Sequence, residues 1–258
     1  MLDAVIIVLR ETLEVSLIVA FLFVYSNHFA VNKKWMFSAL SVGILSAVIV
    51  SSQLPDISDF FYGRGQELLF FGVLISLSIL IQFVNFIILI PNQVKSSASF
   101  LRGLFFIIIV LATSLEGAEI IIFLQSSLSV ENKFYSHLMG SFLGLGIGVS
   151  VGAVAYYLFS QIGRVGLIVC LVFLVMISAG MASQAISYLM QVDLIESSYP
   201  VWNSNWLVSE HSVIGQLLYA LIGYEATPTL VQVVVYGGFL FFPMMLTLYA
   251  MKIDRRNL

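Results

Sequence analysis

The sequence predicts an all-α polytopic membrane protein: seven transmembrane helices, arranged as two inverted three-helix repeats plus a seventh helix. Three observations carry this. Of 258 residues 60% are hydrophobic and only 10% charged, and the mean hydropathy is +1.04. The apolar runs are too many and too long for one water-facing core, while a membrane β-barrel would show short alternating segments instead. Inside two of the runs stand matching acidic pairs, Glu11-Thr12-Leu13-Glu14 and Glu116-Gly117-Ala118-Glu119, 105 residues apart.

Length and apolar content place the spans at Leu2–Tyr25, Trp35–Gln53, Glu67–Ile90, Arg102–Leu124, Leu138–Gln161, Val165–Met190 and Leu230–Met251. The first is longer than the apolar core of a secretion signal and carries charge at its centre, so it reads as a span. The connections are short, and residues 1–258 read as a single transmembrane domain. Repeat one covers about 1–95, repeat two about 96–192, an outer segment 193–229 and the last helix 230–251. The single cysteine, Cys170, lies in an apolar run, which excludes an intrachain disulfide and a thiolate cluster.

Loop charge sets the expected orientation. Lys33, Lys34, Lys95, Arg102, Arg164, Lys252, Arg255 and Arg256 fall on one side if the spans alternate, eight of the eleven basic residues. The other side receives Asp56, Asp59, Glu67, Glu131, Asp193, Glu196, Glu210 and Glu225, with only Arg64 and Lys133. The positive-inside rule then puts the N-terminus outside and the C-terminus in the cytoplasm. An odd number of helices per repeat makes the repeats inverted. Glu11 lies nine residues into span one, about 13–14 Å at 1.5 Å per residue. Glu116 lies eight residues from the outer end of span four. Both pairs therefore reach nearly the same depth.

In the outer segment, Val213, Ile214, Leu217, Leu218, Leu221 and Ile222 follow helical spacing in a run too short to span. This predicts an interfacial or partly re-entrant helix, capped by Ser209, with Glu210 at its positive end and stopped by Gly223.

Intramembrane charges cost about 2.5–3.5 kcal/mol each on insertion scales. Four carboxylates and Arg10 in two matched places therefore ask for a function. A Glu-x-x-Glu pair turns about 300° around a helix, so its carboxylates share one face a turn apart. Hard oxygen donors in that number suit Fe3+, Fe2+, Mn2+, Mg2+ or Ca2+ better than Cu+. Ionised against Arg10 alone they leave about three uncompensated charges, so the empty site holds protons on some glutamates and releases them as metal binds. The competing readings are a helix–helix tie through Arg10 and neighbouring hydroxyls, and a proton relay.

Other polar groups have plainer readings. Gln82, Asn85 and Gln184 read as interhelical hydrogen-bonding groups, and Met176, Met181 and Met190 as packing. Gly140, Gly144 and Gly148, spaced by four, read as a close helix-packing face. Tyr224-Glu225 before Pro228 reads as a turn. No nucleotide loop, catalytic triad or metal-oxidase centre is visible, so no enzyme is expected.

At the paired motifs the chain resembles the high-affinity iron permease family: the oxidase-dependent permeases of yeast and the bacterial ferrous iron permeases. That family carries Arg-Glu-x-x-Glu in its first and fourth helices. Here the first is intact as Arg10-Glu11-Thr12-Leu13-Glu14, while the second keeps both glutamates and has Leu115 at the arginine position. Gly65-Gln66-Glu67-Leu68-Leu69, Ser178-Ala179-Gly180-Met181-Ala182, and His211-Ser212 with Gly223-Tyr224-Glu225-Ala226-Thr227-Pro228 are similar to further family segments.

The resemblance implies an iron permease moving iron ions, Fe2+ or Fe3+, inward across the cytoplasmic membrane, with membrane lipid around it. Glu11, Glu14, Glu116 and Glu119 would be the metal ligands and Arg10 would tune their charge. Glu67, Asp193, Glu196, Glu210 and His211 would be entry-side contacts. It also implies an outer-face metal oxidase or iron-delivery protein as partner; no nucleic acid and no organic cofactor are expected. The alternatives are a transporter of another divalent cation or a proton-coupled carrier on the same scaffold, and a membrane metal sensor that does not translocate.

Overall fold

The computed structural model describes residues 1–28, 34–89, 98–128, 134–196 and 198–254. Among these residues there are eight α-helices and no β-strand, only an isolated antiparallel bridge between Pro200 and Thr229. The helices are α1 (Leu2–His28), α2 (Lys34–Gly63), α3 (Gly65–Leu89), α4 (Ala98–Leu128), α5 (Phe134–Gln161), α6 (Arg164–Gln191), α7 (Val213–Ile222) and α8 (Leu230–Asp254). Except for Ile90, the last residue of the third, which lies outside the described residues, each expected span falls on one of these helices. Five of them, α2 to α6, are long and apolar enough to cross a membrane. In α1 the residues Asp3, Arg10, Glu11 and Glu14 interrupt the apolar run, and the described apolar stretch of α8 is Leu230–Pro243. Lys33, Lys95, Glu131, Lys133, Arg255 and Arg256 lie outside the described residues.

Two local expectations are corrected. The second helix does not stop at Gln53. It runs on through Pro55 and carries Asp56 and Asp59 on its last turns rather than in a loop. Backbone torsions break only at Phe60 (ψ 155°), Phe61 (φ 54°) and Tyr62 (φ 63°), before Gly63 and the start of α3. A proline leaves the helix one hydrogen bond short, and that loss does not end a helix so close to its C-terminus. Likewise, α7 is capped by Ser212, not Ser209. Ser212 is extended and its hydroxyl accepts from the Gly215 N–H at 3.0 Å, while the Ser209 carbonyl accepts from Ser212. Glu210 therefore stands ahead of the helix. Gly223 closes α7 in the left-handed conformation (φ 65°), as expected.

The helices pack in a regular way. α1 lies chiefly on α5, α2 on α4 and α3 on α6, while α1 also crosses α4, and α7 and α8 lean on α6. Glycines set the first pairing: β-carbons added to Gly144 and Gly148 would come within 3.2 Å of Val8 Cβ and 2.7 Å of Thr12 Cβ. The second pairing repeats that register. A β-carbon on Gly43 would meet Thr113 Cβ at 2.6 Å, and one on Gly117 would meet Ala47 Cβ at 2.9 Å. Shifting Val8 and Thr12 by the 105 residues that separate the acidic pairs lands on Thr113 and Gly117. With no apolar penalty to avoid in lipid, such close backbone approach is what holds membrane helices together.

The shared core runs along α1 through Leu13, Leu17, Phe21 and Tyr25, against Leu74, Leu77 and Ile81 of α3, Phe105, Ile108 and Ile109 of α4, and Leu174 and Ile177 of α6. Large apolar side chains instead face outward on α2 (Phe37, Ile44, Ile49) and α5 (Phe142, Val149, Tyr157). Exposed apolar faces of that size are what lipid covers. Gln82 and Asn85 form the interhelical hydrogen bonds expected of them, whereas the Gln184 side-chain carbonyl has no partner: Gln82 Nε2 donates to Ser178 Oγ (2.6 Å) and the Phe239 carbonyl (2.8 Å), and Tyr25 donates to Asn85 Oδ1 (3.2 Å). Met181 lies in the core, and Met190 accepts from the Thr229 hydroxyl, so both serve packing.

Candidate metal centre

The crossing of α1 and α4 carries both acidic pairs into the interior. Carboxylate oxygens of Glu11, Glu116 and Glu119 all lie within 4.8 Å of one another. Glu11 is 4% exposed and Glu116 1%, with Glu119 partly buried. Two unit charges at such separations repel by about 3 kcal/mol at an effective dielectric near 20. Three carboxylates so placed need a cation or protons among them. Both oxygens of Glu116 and one oxygen of Glu11 are buried without a hydrogen bond, so the acceptors are available to an ion.

Glu14 is handled differently. It is 3% exposed, and its Oε1 lies 3.8 Å from Arg10 Nε, the same distance that separates Arg10 Nε from Glu11 Oε1. The guanidinium therefore straddles the first motif. Its Cζ sits 4.1 Å from the centre of the Tyr219 ring on α7, a cation–π contact. On the other flank Tyr188 of α6 donates a 2.9 Å hydrogen bond to Glu119 Oε1. Leu115, at the arginine position of the second motif, is buried in the apolar core.

A cavity of about 540 Å³ is lined by Glu11 and Glu119. Arg10, Gln184 and Tyr188 also line it, as do Glu210, His211 and Glu225 of the 193–229 segment. Of the expected entry-side contacts, Glu210 and His211 thus share a cavity with the motif glutamates. Glu67, in the first turn of α3, and Asp193 and Glu196, after α6, lie outside this cavity. Among the described residues Arg10 is the only arginine or lysine that lines it.

Glu225 escaped the sequence reading, which took it for part of a turn. Both its oxygens accept from Gln232 Nε2 at 2.7 and 2.8 Å, and Gln232 also reaches Ser187. Burial, and to a smaller degree the Glu210 charge, raises the Glu225 pKa above the usual carboxylate range, and the Gln232 bonds oppose this only in part. Glu210 accepts from the Ala226 N–H at 2.5 Å. Both outer carboxylates are thus fixed by protein donors, while Glu116 is not. Tyr188, Tyr219 and Gln184 were missed as well. The one legible signal was a polar spacing on α6, Gln184, Ser187, Tyr188 and Gln191, on a single helical face.

Fold and cavity together define a multi-pass helical membrane protein with carboxylates lining an acidic cavity. The chain belongs to the iron permease FTR1 family, whose family model matches residues 91–253. The matched part holds Glu116, Glu119 and the outer segment; the Arg10–Glu14 motif precedes it. This is a family of iron transporters, not of enzymes. No curated protein and no solved structure matches the chain.

Proposed function

We propose that the protein carries iron inward across the cytoplasmic membrane through the site formed by Glu11, Glu116 and Glu119. Glu14 is the fourth carboxylate and Arg10 the charge that tunes the set. The observation that carries this is the convergence of three carboxylates from two helices within 4.8 Å, two buried and one partly buried, with Glu11 and Glu119 lining an acidic cavity. Carboxylates are hard donors and hold iron of either oxidation state. The two family-type motifs meet at one place because α1 and α4 are equivalent helices of two inverted repeats, α1–α3 and α4–α6. The matched registers of α1 on α5 and α4 on α2 support that reading.

Seven helices span, α1 and α8 included. α1 crosses despite its charges because they face the site and not lipid. The cavity opens on the side of the acidic loops, and the rule of basic cytoplasmic loops makes that side the outer one. Iron then enters past Glu210, His211 and Glu225, with Glu67, Asp193 and Glu196 adding negative potential at the same face. An outer-face oxidase or delivery protein supplies the ion.

Purified protein in liposomes tests the function. Radioactive iron should accumulate inside, and Mn2+, Zn2+ or Ca2+ at equal concentration should displace it weakly. Equal displacement by another divalent ion would make the protein a carrier of that ion. Binding without accumulation would make it a sensor.

A further inference from the structure

The polar stripe on α6 is a wall of the cavity. Gln184, Ser187, Tyr188 and Gln191 stand at i, i+3, i+4 and i+7, and all four line it alongside Glu11 and Glu119. Two of them are engaged: Ser187 accepts from Gln232 at 2.9 Å and Tyr188 donates to Glu119 at 2.9 Å. Gln184 differs. It is 9% exposed, and its side-chain carbonyl is buried with no hydrogen bond. An amide that deep in a membrane helix is costly unless something meets its oxygen.

Its surroundings point to what does. Tyr188 is level with Glu119, to which it is bonded. Gln184 stands one turn before Tyr188 on the same face of α6 and lines the cavity together with Glu11 and Glu119. Glu116 is the glutamate whose two oxygens also lack partners. A hard cation takes about six oxygens, and its affinity depends on how many carry charge. A neutral oxygen raises the ligand number without adding charge.

Resting on the reading of Glu11, Glu116 and Glu119 as the cation site, we propose that Gln184 is a cation-contacting, specificity-determining residue whose side-chain carbonyl supplies a neutral oxygen to the transported ion.

The test compares wild type, Gln184→Met, Gln184→Glu and Glu116→Gln in proteoliposomes at matched protein amount. The readouts are the Fe2+ concentration for half-maximal uptake and the Mn2+ concentration that halves it. Gln184→Met keeps length and removes the oxygen, and should raise the iron value about tenfold or more. Gln184→Glu keeps an oxygen donor and adds charge, so uptake should persist with a changed Mn2+-to-Fe2+ ratio. Wild-type values in both variants would overturn the proposal. So would a Gln184→Glu protein as impaired as Gln184→Met, since the role would then belong to the amide N–H. If Gln184→Met does not fold, an unchanged ratio in Gln184→Glu still overturns it. Uptake lost in Glu116→Gln but normal in the Gln184 variants would sink this proposal alone; normal uptake in Glu116→Gln would sink the site reading beneath it.

Discussion

Arg10 Nε lies 3.8 Å from both Glu11 Oε1 and Glu14 Oε1, so the one cation is shared by the two glutamates of its own helix. The second motif has Leu115 instead of a basic residue, and the Tyr188 hydroxyl donates to Glu119 there. Tyr188→Phe removes that hydroxyl and keeps the edge-to-face packing on Phe70, 5.5 Å between ring centres. The expected outcome is a half-saturating iron concentration raised about tenfold with the helical fold intact, since losing an orienting partner of a ligand costs in that range. Uptake titrations with circular dichroism check it. Tyr219 gives a complementary pair: Tyr219→Phe keeps the ring beneath Arg10 and should behave as wild type, whereas Tyr219→Leu should weaken uptake by losing a contact worth about 1–2 kcal/mol.

The helices and their connections carry predictions of another kind. Gly148 and Gly146 lie on the same helix, yet a β-carbon on Gly148 would collide with Thr12 of α1 while one on Gly146 would meet open space. Gly148→Leu should therefore separate α1 from α5 and lower the thermal midpoint in detergent, an overpacking cost of about 1–3 kcal/mol or more. Gly146→Leu should leave it unchanged.

The turn bearing Glu225 predicts a pH effect. Its pKa is raised by burial, so its share of stability is full below the unfolded value and is lost as pH rises through the folded one. Glu225→Gln stays neutral throughout. Its thermal midpoint should exceed that of wild type at neutral and alkaline pH, and the difference should shrink as pH falls. A constant difference across the range would show that Glu225 does not titrate in this way.

For the molecule as a whole, the apolar runs and the two motifs were legible because a bilayer forces both helical length and a reason for every buried charge. Glu11, Glu14, Glu116 and Glu119 could be grouped from spacing, since one face of each helix carries its pair, and the structure brings three of them, without Glu14, within 4.8 Å. What spacing could not reveal was how the charges divide. That Arg10 leans toward Tyr219 depends on a ten-residue helix, α7, folding back over α1 and α6. Glu225 looked like turn chemistry because its partner, Gln232, comes from the start of α8. The continuation of α2 past Gln53 was hidden by Pro55, which reads as a stop where the helix tolerates it.

The central claim is that one site is built from two helices. Radioactive iron uptake into proteoliposomes by Glu11→Gln, Glu116→Gln and the double variant tests it most directly, because glutamine keeps shape and removes charge. A shared site predicts that each single change cuts uptake nearly as deeply as both together, with protein levels held. Uptake equal to wild type in the single variants, or losses that simply multiply in the double one, would contradict it.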